Sequence, residues 1–315
     1  MTNALRIKRF RPEDSEIWNN FVATSKNGTF LHNRNYLNYH ADRFSDHSLM
    51  IEYKDKPVAL LPANQSGKVL QSHGGLTYGG FVTGKSMSAD LMCDIILELK
   101  NYLQSEGMDS LYYKAIPHIF HKYPAEEDLY ALSVHDANIV GVDLASVIDI
   151  NHGPGLSKSK KHGARKASAS GLSVCETDDF SRFWGVLADR LQQAHQAVPT
   201  HSLDEIIVLK KKFPGNIRLF QATDGSDVVG GVVVFDCASV MHAQYMATNE
   251  TGRDLGALDL IIAYISETEF SGRRWFSFGI STTEGGRKLN TGLCRQKEMF
   301  GARSVVFTKY DFSAF

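Results

Sequence analysis

The stretch GISTTEGGRKLNTGLCRQKEMFGA, Gly279–Ala302, leaves an apolar run, passes through a polar glycine-rich loop and enters a short helix that carries Lys297. The run before it, Arg274–Ile280 (RWFSFGI), reads as a buried strand, because Trp275, Phe276 and Phe278 stand among β-compatible residues and the run breaks at a glycine. In the helix, Leu289, Leu293, Gln296 and Phe300 fall at helical spacing and predict a core-facing stripe. Lys297 borders that stripe. Its stem is expected to lie along apolar surface with the ammonium reaching a cavity at the end of the loop, the alternative being a lysine that snorkels to solvent.

Outward from this segment, the chain of 315 residues is long for one hydrophobic core and comfortable for two. A hydrophobic content of 43% and a charged content of 22% are those of an ordinary globular protein. The balance of 34 basic against 35 acidic residues gives a net charge of -1 and no global field toward nucleic acid or an anionic membrane, so any such binding must be local. No apolar stretch is long enough to span a bilayer, and MTNALRIKRF lacks the apolar core of an export signal, so a cytoplasmic location is expected. Cys93, Cys175, Cys237 and Cys294 are scattered singly. They have neither zinc nor redox spacing, are expected to be free thiols, and give no reason to expect a metal.

The same plan occurs twice. In the first half a strand at Leu5–Phe10 is followed by helices over 12–24 and 35–43. Then come strand-and-turn segments from Ser48 to Phe81 (SLMIEY, VALLPAN, VLQS and HGGLTYGGF), a helix over 88–106 and a strand over 110–115. The second half reads as a strand at Leu172–Glu176, helices over 179–197 and 201–213, a meander over 217–247 turning at Asp224-Gly225, a helix over 255–270 and the strand at Trp275. The intervals from meander to closing strand, Glu52 to Leu111 and Gln221 to Trp275, are similar, which suggests a duplicated fold. Gly and Pro in NHGPGL, Asn151–Leu156, place the boundary between domains 1–153 and 154–315.

Strand, helix, helix, antiparallel meander, helix, strand resembles a GNAT domain. The closing segment, with Phe278-Gly279, Gly292-Leu293, Gln296-Lys297 and Phe300-Gly301, is similar to the end of the Fem-type acyltransferases, except that Gln296 stands where those enzymes usually carry an aromatic residue. The basic helix in LSKSKKHGARKASASGLSV matches one that opens the second Fem domain, with Arg165, Lys166 and Gly171 at the expected places. The fold class expected from the resemblance is α/β with mixed sheets, in two tandem GNAT-like domains.

Acyl transfer to an amine needs a polarised carbonyl, a proton acceptor and a cradle for the donor. Under the resemblance, Arg253, Gly256 and Ala257 in ETGRDLGALDLII would cradle the pyrophosphate of acyl-CoA at a helix N-terminus. Leu258 departs from the GNAT pattern, and a plain helix start explains Gly256 equally well. His201 and Glu205 lie one helical turn apart and suit a carboxylate–imidazole pair, or a capped helix start with a surface histidine. Alternation in Val240–Ala247 puts His242, Gln244 and Met246 on one face and Met241, Ala243, Tyr245 and Ala247 on the other, so His242, Gln244 and Tyr245 are candidates for lining a pocket. A hydrogen-bonded core pair is the other reading of His242 and Gln244.

In the loop, Glu284 is a candidate base, with Arg287 and Asn290 as substrate contacts, although loops are often polar only because they are solvated. His73 and Tyr78, among paired glycines, suit an acceptor-binding wall or a simple β-bulge. The catalytic candidates are therefore Lys297, His201 and Glu284. The expected function is transfer of an acyl group from acyl-CoA to an amine of an amino sugar or cell-envelope precursor, small or lipid-linked, with no DNA partner. Aminoacyl-tRNA is the alternative donor, set second because the long helical arm of many tRNA-dependent relatives is absent. A ligand-binding protein that kept the fold without catalysis is the alternative of another class.

Overall fold

The computed structural model describes residues 5–315. In the first half of the chain the strands are β1 (Leu5–Arg9), β2 (Ser45–Asp46), β3 (Leu49–Tyr53), β4 (Lys56–Leu61), β5 (Asn64–Ser66), β6 (Val69–Gln71), β7 (Val82–Thr83), β8 (Ser110–Lys114) and β9 (Asn138–Asp149). The helices between them are α1 (Ser15–Thr24), α2 (Arg34–Leu37), α3 (Ala89–Ser105) and α4 (Glu127–Val134). The second half runs α5 (Lys158–Ala169), β10 (Leu172–Thr177), α6 (Ser181–His195), α7 (Leu203–Lys212), β11 (Ile217–Asp224), β12 (Asp227–Asp236), β13 (Val240–Thr248), α8 (Glu250–Leu255) and α9 (Ala257–Thr268). It closes with β14 (Trp275–Ile280), the small hairpin β15 (Thr282–Thr283) and β16 (Lys288–Leu289), α10 (Thr291–Met299) and β17 (Arg303–Ser313).

These elements form two compact units. The first comprises the chain up to Asp143 with Glu284–Arg287 and Val306–Phe315; the second comprises Leu144–Thr283 with Lys288–Val305. Each unit thus takes a strand segment from the other half of the sequence. In the first, β17 pairs antiparallel with β8 from Lys309↔Lys114 to Ser313↔Ser110. In the second, the end of β9 pairs antiparallel with β14, from Trp275↔Asp149 to Ile280↔Ala145. NHGPGL is the turn that follows β9.

The first unit has one sheet in the order β1-β3-β4-β7 and a run of strands β17-β8-β6-β5-β2. Its core is built where α3 lays Met92, Ile95, Ile96, Leu99 and Leu103 on Leu49, Ile51, Phe81 and Leu111. These helix positions recur at the three- and four-residue spacing of a single face, which is why the segment folds as a helix that buries one side. In the second unit the strands run β10-β11-β12-β13-β14-β9. One face is covered by α9 through Ile261, Ile262 and Ile265, packed with Val232, Val234, Met241, Phe276 and Phe300. Phe180 at the N-cap of α6 and Phe183, Trp184 and Leu187 on it are buried, and the helix packs on β12 and β13.

Both units contain the same irregularity. Two parallel strands touch over a short register and then part: β6 and β8 from Val69↔Ser110 to Gln71↔Tyr112, and β13 and β14 from Val240↔Trp275 to His242↔Ser277. In the first unit the fork is filled by the chain's own Ser72–Gly80. Ser72 N donates to Tyr112 O at 2.9 Å and Gly79 N to Lys114 O at 3.2 Å, while Lys114 Nζ donates to Leu76 O at 2.5 Å. In the second unit β13 continues to Thr248 and β14 to Ile280 beyond the last shared pair.

Candidate functional site in the second unit

Beside the fork between β13 and β14 stand the buried polar residues His242, Ser277 and Lys297 of the second unit. Ser277 projects opposite to Phe276 and Phe278, which join the apolar core, so it lies on the other face of β14 beside His242. His242 Nδ1 and Ser277 Oγ are 3.1 Å apart, and both residues are buried. Burial, helped by the nearby Lys297 charge, lowers the His242 pKa to about 4, so the imidazole is neutral at ordinary pH. Gly279 follows with φ +70°, a conformation that glycine adopts without steric cost. A Cβ there would stand 3.4 Å from His242 Cε1.

Lys297 enters from α10. It is 4% exposed, which rules out the solvent-snorkelling alternative. Its Nζ donates to Gly279 O at 3.1 Å and Ile280 O at 2.7 Å. An ammonium has three donors, so one is left after these two carbonyls. Burial brings the Lys297 pKa down to about 8. The predicted helical stripe needs correction: Cys294, Lys297 and Phe300 are the buried positions, Gln296 is exposed, and Leu289 lies in β16 before the helix. The helix begins two residues later than the pattern implied because Asn290 caps it, its Oδ1 accepting from Leu293 N at 3.0 Å.

The alternation expected along β13 also needs correction. Val233 pairs with Tyr245 but Val234 with Ala243, so Gln244 is the extra residue of a β-bulge. The bulge turns Tyr245 to the face of His242 and leaves Met241 and Ala243 on the core side. The Tyr245 hydroxyl meets His201 Nδ1 at 2.5 Å, and His201 is 3% exposed, a buried histidine and not a surface one. Trp184 lies edge-on to Tyr245 at 5.3 Å. The Glu205 carboxylate accepts from Ser202 N at 2.7 Å while Ser202 Oγ accepts from Glu205 N at 3.2 Å, a capping box at the start of α7.

Of the expected cradle, Gly256 and Ala257 lie at the N-terminus of α9, as N-cap and first residue, whereas Arg253 lies in the preceding helix. Asn249 caps the short helix α8, and Arg253 is in its last turn, exposed and near Glu250 and Asp254. It borders a groove of about 320 Å3 with Asp189, Arg190, Thr248, Asn249 and Glu250. Gly256, at φ +82°, joins α8 to α9, and Ala257 is fully buried. The first turn of α9 holds Asp259, whose carboxylate accepts from Lys160 Nζ of α5 at 2.7 Å.

The other candidates have different surroundings. Glu284 and Arg287 are exposed and belong to the first unit; Glu284, Gly285 and Gly286 are successive left-handed residues at φ +54°, +68° and +98°. Asn290 is exposed in the second unit, where its side chain caps α10. His73 is 4% exposed at φ +56°, in the first unit. Tyr78 is 1% exposed, its hydroxyl donating to Thr29 Oγ1 at 3.2 Å and its ring on Phe120 at 4.2 Å. Gly79 sits where a Cβ would come within 1.8 Å of Ser72 O, so that glycine is required by the approach of two backbones. Ser277 was not a sequence candidate; its polar side chain between Phe276 and Phe278 in a buried strand was the available signal. Among the described residues no group of His, Cys, Asp and Glu is arranged to hold a metal ion.

No family model matches the sequence, and no curated protein does. Solved structures do. FemX superposes with a TM-score of 0.69 at 9% identity, over 98% of this chain and 97% of FemX. The C-terminal domain of an Agrobacterium fabrum protein assigned as a lysylphosphatidylglycerol synthetase gives 0.64 at 10% identity, over 96% and 92% of the two chains. L-PGS from Bacillus licheniformis gives 0.62 at 14% identity, over 98% and 93%. The fold is the tandem GNAT-like fold of the Fem type, as the order of elements implied.

Proposed function

We propose that this protein is an N-acyltransferase whose acyl group is held in the fork of β13 and β14. The observation that carries the reading is a buried lysine with a donor to spare, set beside a neutral histidine where two parallel strands part. In this reading an amine attacks the acyl carbonyl, and the remaining Lys297 N–H binds the oxygen as it gains negative charge. With a pKa of about 8, Lys297 is mostly charged at pH 7. His242 adds no competing positive charge, and its contact with Ser277 fixes the ring. The amine proton passes to the His201–Tyr245 pair, on the same face of β13 as His242. As the tetrahedral intermediate collapses, the C–S or C–O bond to the donor breaks, and the leaving sulfur or ribose oxygen takes the proton that the pair had accepted.

The acceptor in this proposal is an amine on an amino sugar or cell-envelope precursor. Acyl-CoA is the first donor reading, with its pantetheine arm lying along the parted strands. Aminoacyl-tRNA is the second, and a specific observation favours it: Asp259, paired with Lys160, occupies the first turn of α9, where a pyrophosphate would otherwise meet backbone N–H groups. Calorimetric titration with acetyl-CoA, and transfer assays with acyl-CoA and aminoacyl-tRNA against amino-sugar acceptors, separate the two. If CoA binds at α9, Gly256→Glu abolishes the binding. Absence of transfer from either donor, with an amine acceptor bound, supports the non-catalytic alternative instead.

A further inference from the structure

On α5, the sequence KSKKHGARKASA contains no acidic residue. Ala164 and Ala167 turn inward, and Gly163 lets the helix approach Asp259 so closely that a Cβ there would lie 2.2 Å from Oδ2. Lys160 is spent on that side, its ammonium bound to Asp259 and standing 4.4 Å from the centre of the Phe300 ring. The rest of the basic residues, Lys158, Lys161, His162, Arg165 and Lys166, are exposed. They fall at the three- and four-residue spacings that make one contiguous face.

This face is unfavourable to the helix that bears it. Lys158, Lys160 and Lys161 crowd the N-terminal turn, where the helix dipole favours anions, and like charges repel at Lys158–Lys161 and Lys161–Arg165. No ion pair to an acidic side chain is found for the exposed cations among the described residues, in a chain whose net charge is -1. A polyanion would relieve this repulsion. The face carries no Phe, Tyr or Trp on which nucleic-acid bases could stack, and it is flanked by small residues, Ser159, Ser168 and Ala169.

We propose that the exposed cationic face of α5 is a docking surface for anionic phospholipid, which brings the protein reversibly to a membrane surface. The proposal is independent of the acyl-transfer reading. The attachment is electrostatic, carried by the exposed cations of α5. Each basic side chain near such a surface contributes about a fivefold factor in partitioning.

The test is co-sedimentation of the full chain with phosphatidylcholine vesicles containing phosphatidylglycerol, at low salt, against vesicles of phosphatidylcholine alone. Binding is expected only to the anionic vesicles, and it should fall steeply with added salt. Lys161→Gln with Arg165→Gln should weaken it about 25-fold while the thermal midpoint stays constant or rises, since repulsion within the helix is removed. Failure to bind anionic vesicles at low salt overturns the proposal, as does binding unchanged in the double variant. Binding of a short RNA duplex that is weakened by the same substitutions, with no binding to vesicles, overturns it in favour of a nucleic-acid surface.

Discussion

Replacing Lys297 by Met separates the chemistry of the fork from its stability. Burial brings the Lys297 pKa from 10.5 to about 8, so holding the ammonium in the folded protein costs roughly 3 kcal/mol, at 1.36 kcal/mol per pKa unit. Met has a similar volume and removes that cost. It also leaves Gly279 O and Ile280 O without their donor, at about 1–3 kcal/mol for each group that water does not reach. Ile280 is 43% exposed, which puts its carbonyl at the low end. The two effects nearly cancel, and the thermal midpoint of Lys297→Met should stay within roughly 5 °C of wild type. Turnover should not be spared: loss of a donor to a developing oxyanion typically costs 10²–10³-fold, about 3–4 kcal/mol. Denaturant unfolding at several pH values provides a second reading. The folded pKa lies below the unfolded one, so between about pH 8 and 10.5 the unfolded chain binds the proton more tightly and stability rises with pH. That rise should be smaller in the variant by the contribution of this one group. Wild-type turnover in Lys297→Met refutes the catalytic role, and an unchanged pH dependence refutes the buried-ammonium account.

Three further outcomes are expected. His242 has a folded pKa of about 4 against 6.5, so it contributes stability that is lost as pH falls from 6.5 toward 4; acid unfolding curves of wild type and His242→Phe should differ in that window. Gly279→Ala places a side chain at φ +70° and 3.4 Å from His242 Cε1, and should destabilise by about 1–2 kcal/mol in chemical denaturation while lowering turnover. A fragment of residues 154–315 lacks Leu144–Asp149, the segment that pairs with β14; it should show poorer amide-exchange protection along β14 than a fragment of 144–305, and equal protection would contradict the assigned role of β9.

Elements with strong local signals were legible in advance. The helices α3, α6 and α9 follow from the periodic placement of their apolar residues, and the basic helix α5 from Ala and Lys bounded by Gly155 and Gly171. The repeated order of elements pointed to a duplicated GNAT-like fold because that order is a property of the chain alone. Lys297 stood out because a lysine beside an apolar helix stripe, after a strand that ends in glycine, has few places to go. The bulge at Gln244 was not legible. Nothing in Val240–Thr248 marks the extra residue, since a bulge is a property of the pairing with β12. The contact of His201 with Tyr245 was hidden for a related reason: Glu205 is its near neighbour in sequence, but Tyr245 reaches it from β13.

The sequence by itself determined the secondary elements, their order and the residue types available for chemistry, because periodicity, capping and turn preference act within a few residues. Tertiary structure alone decided which strands close each unit and where the parallel strands part. It also decided that Lys297 is a buried ammonium shared between two carbonyls, because burial and charge proximity depend on neighbours distant in the chain.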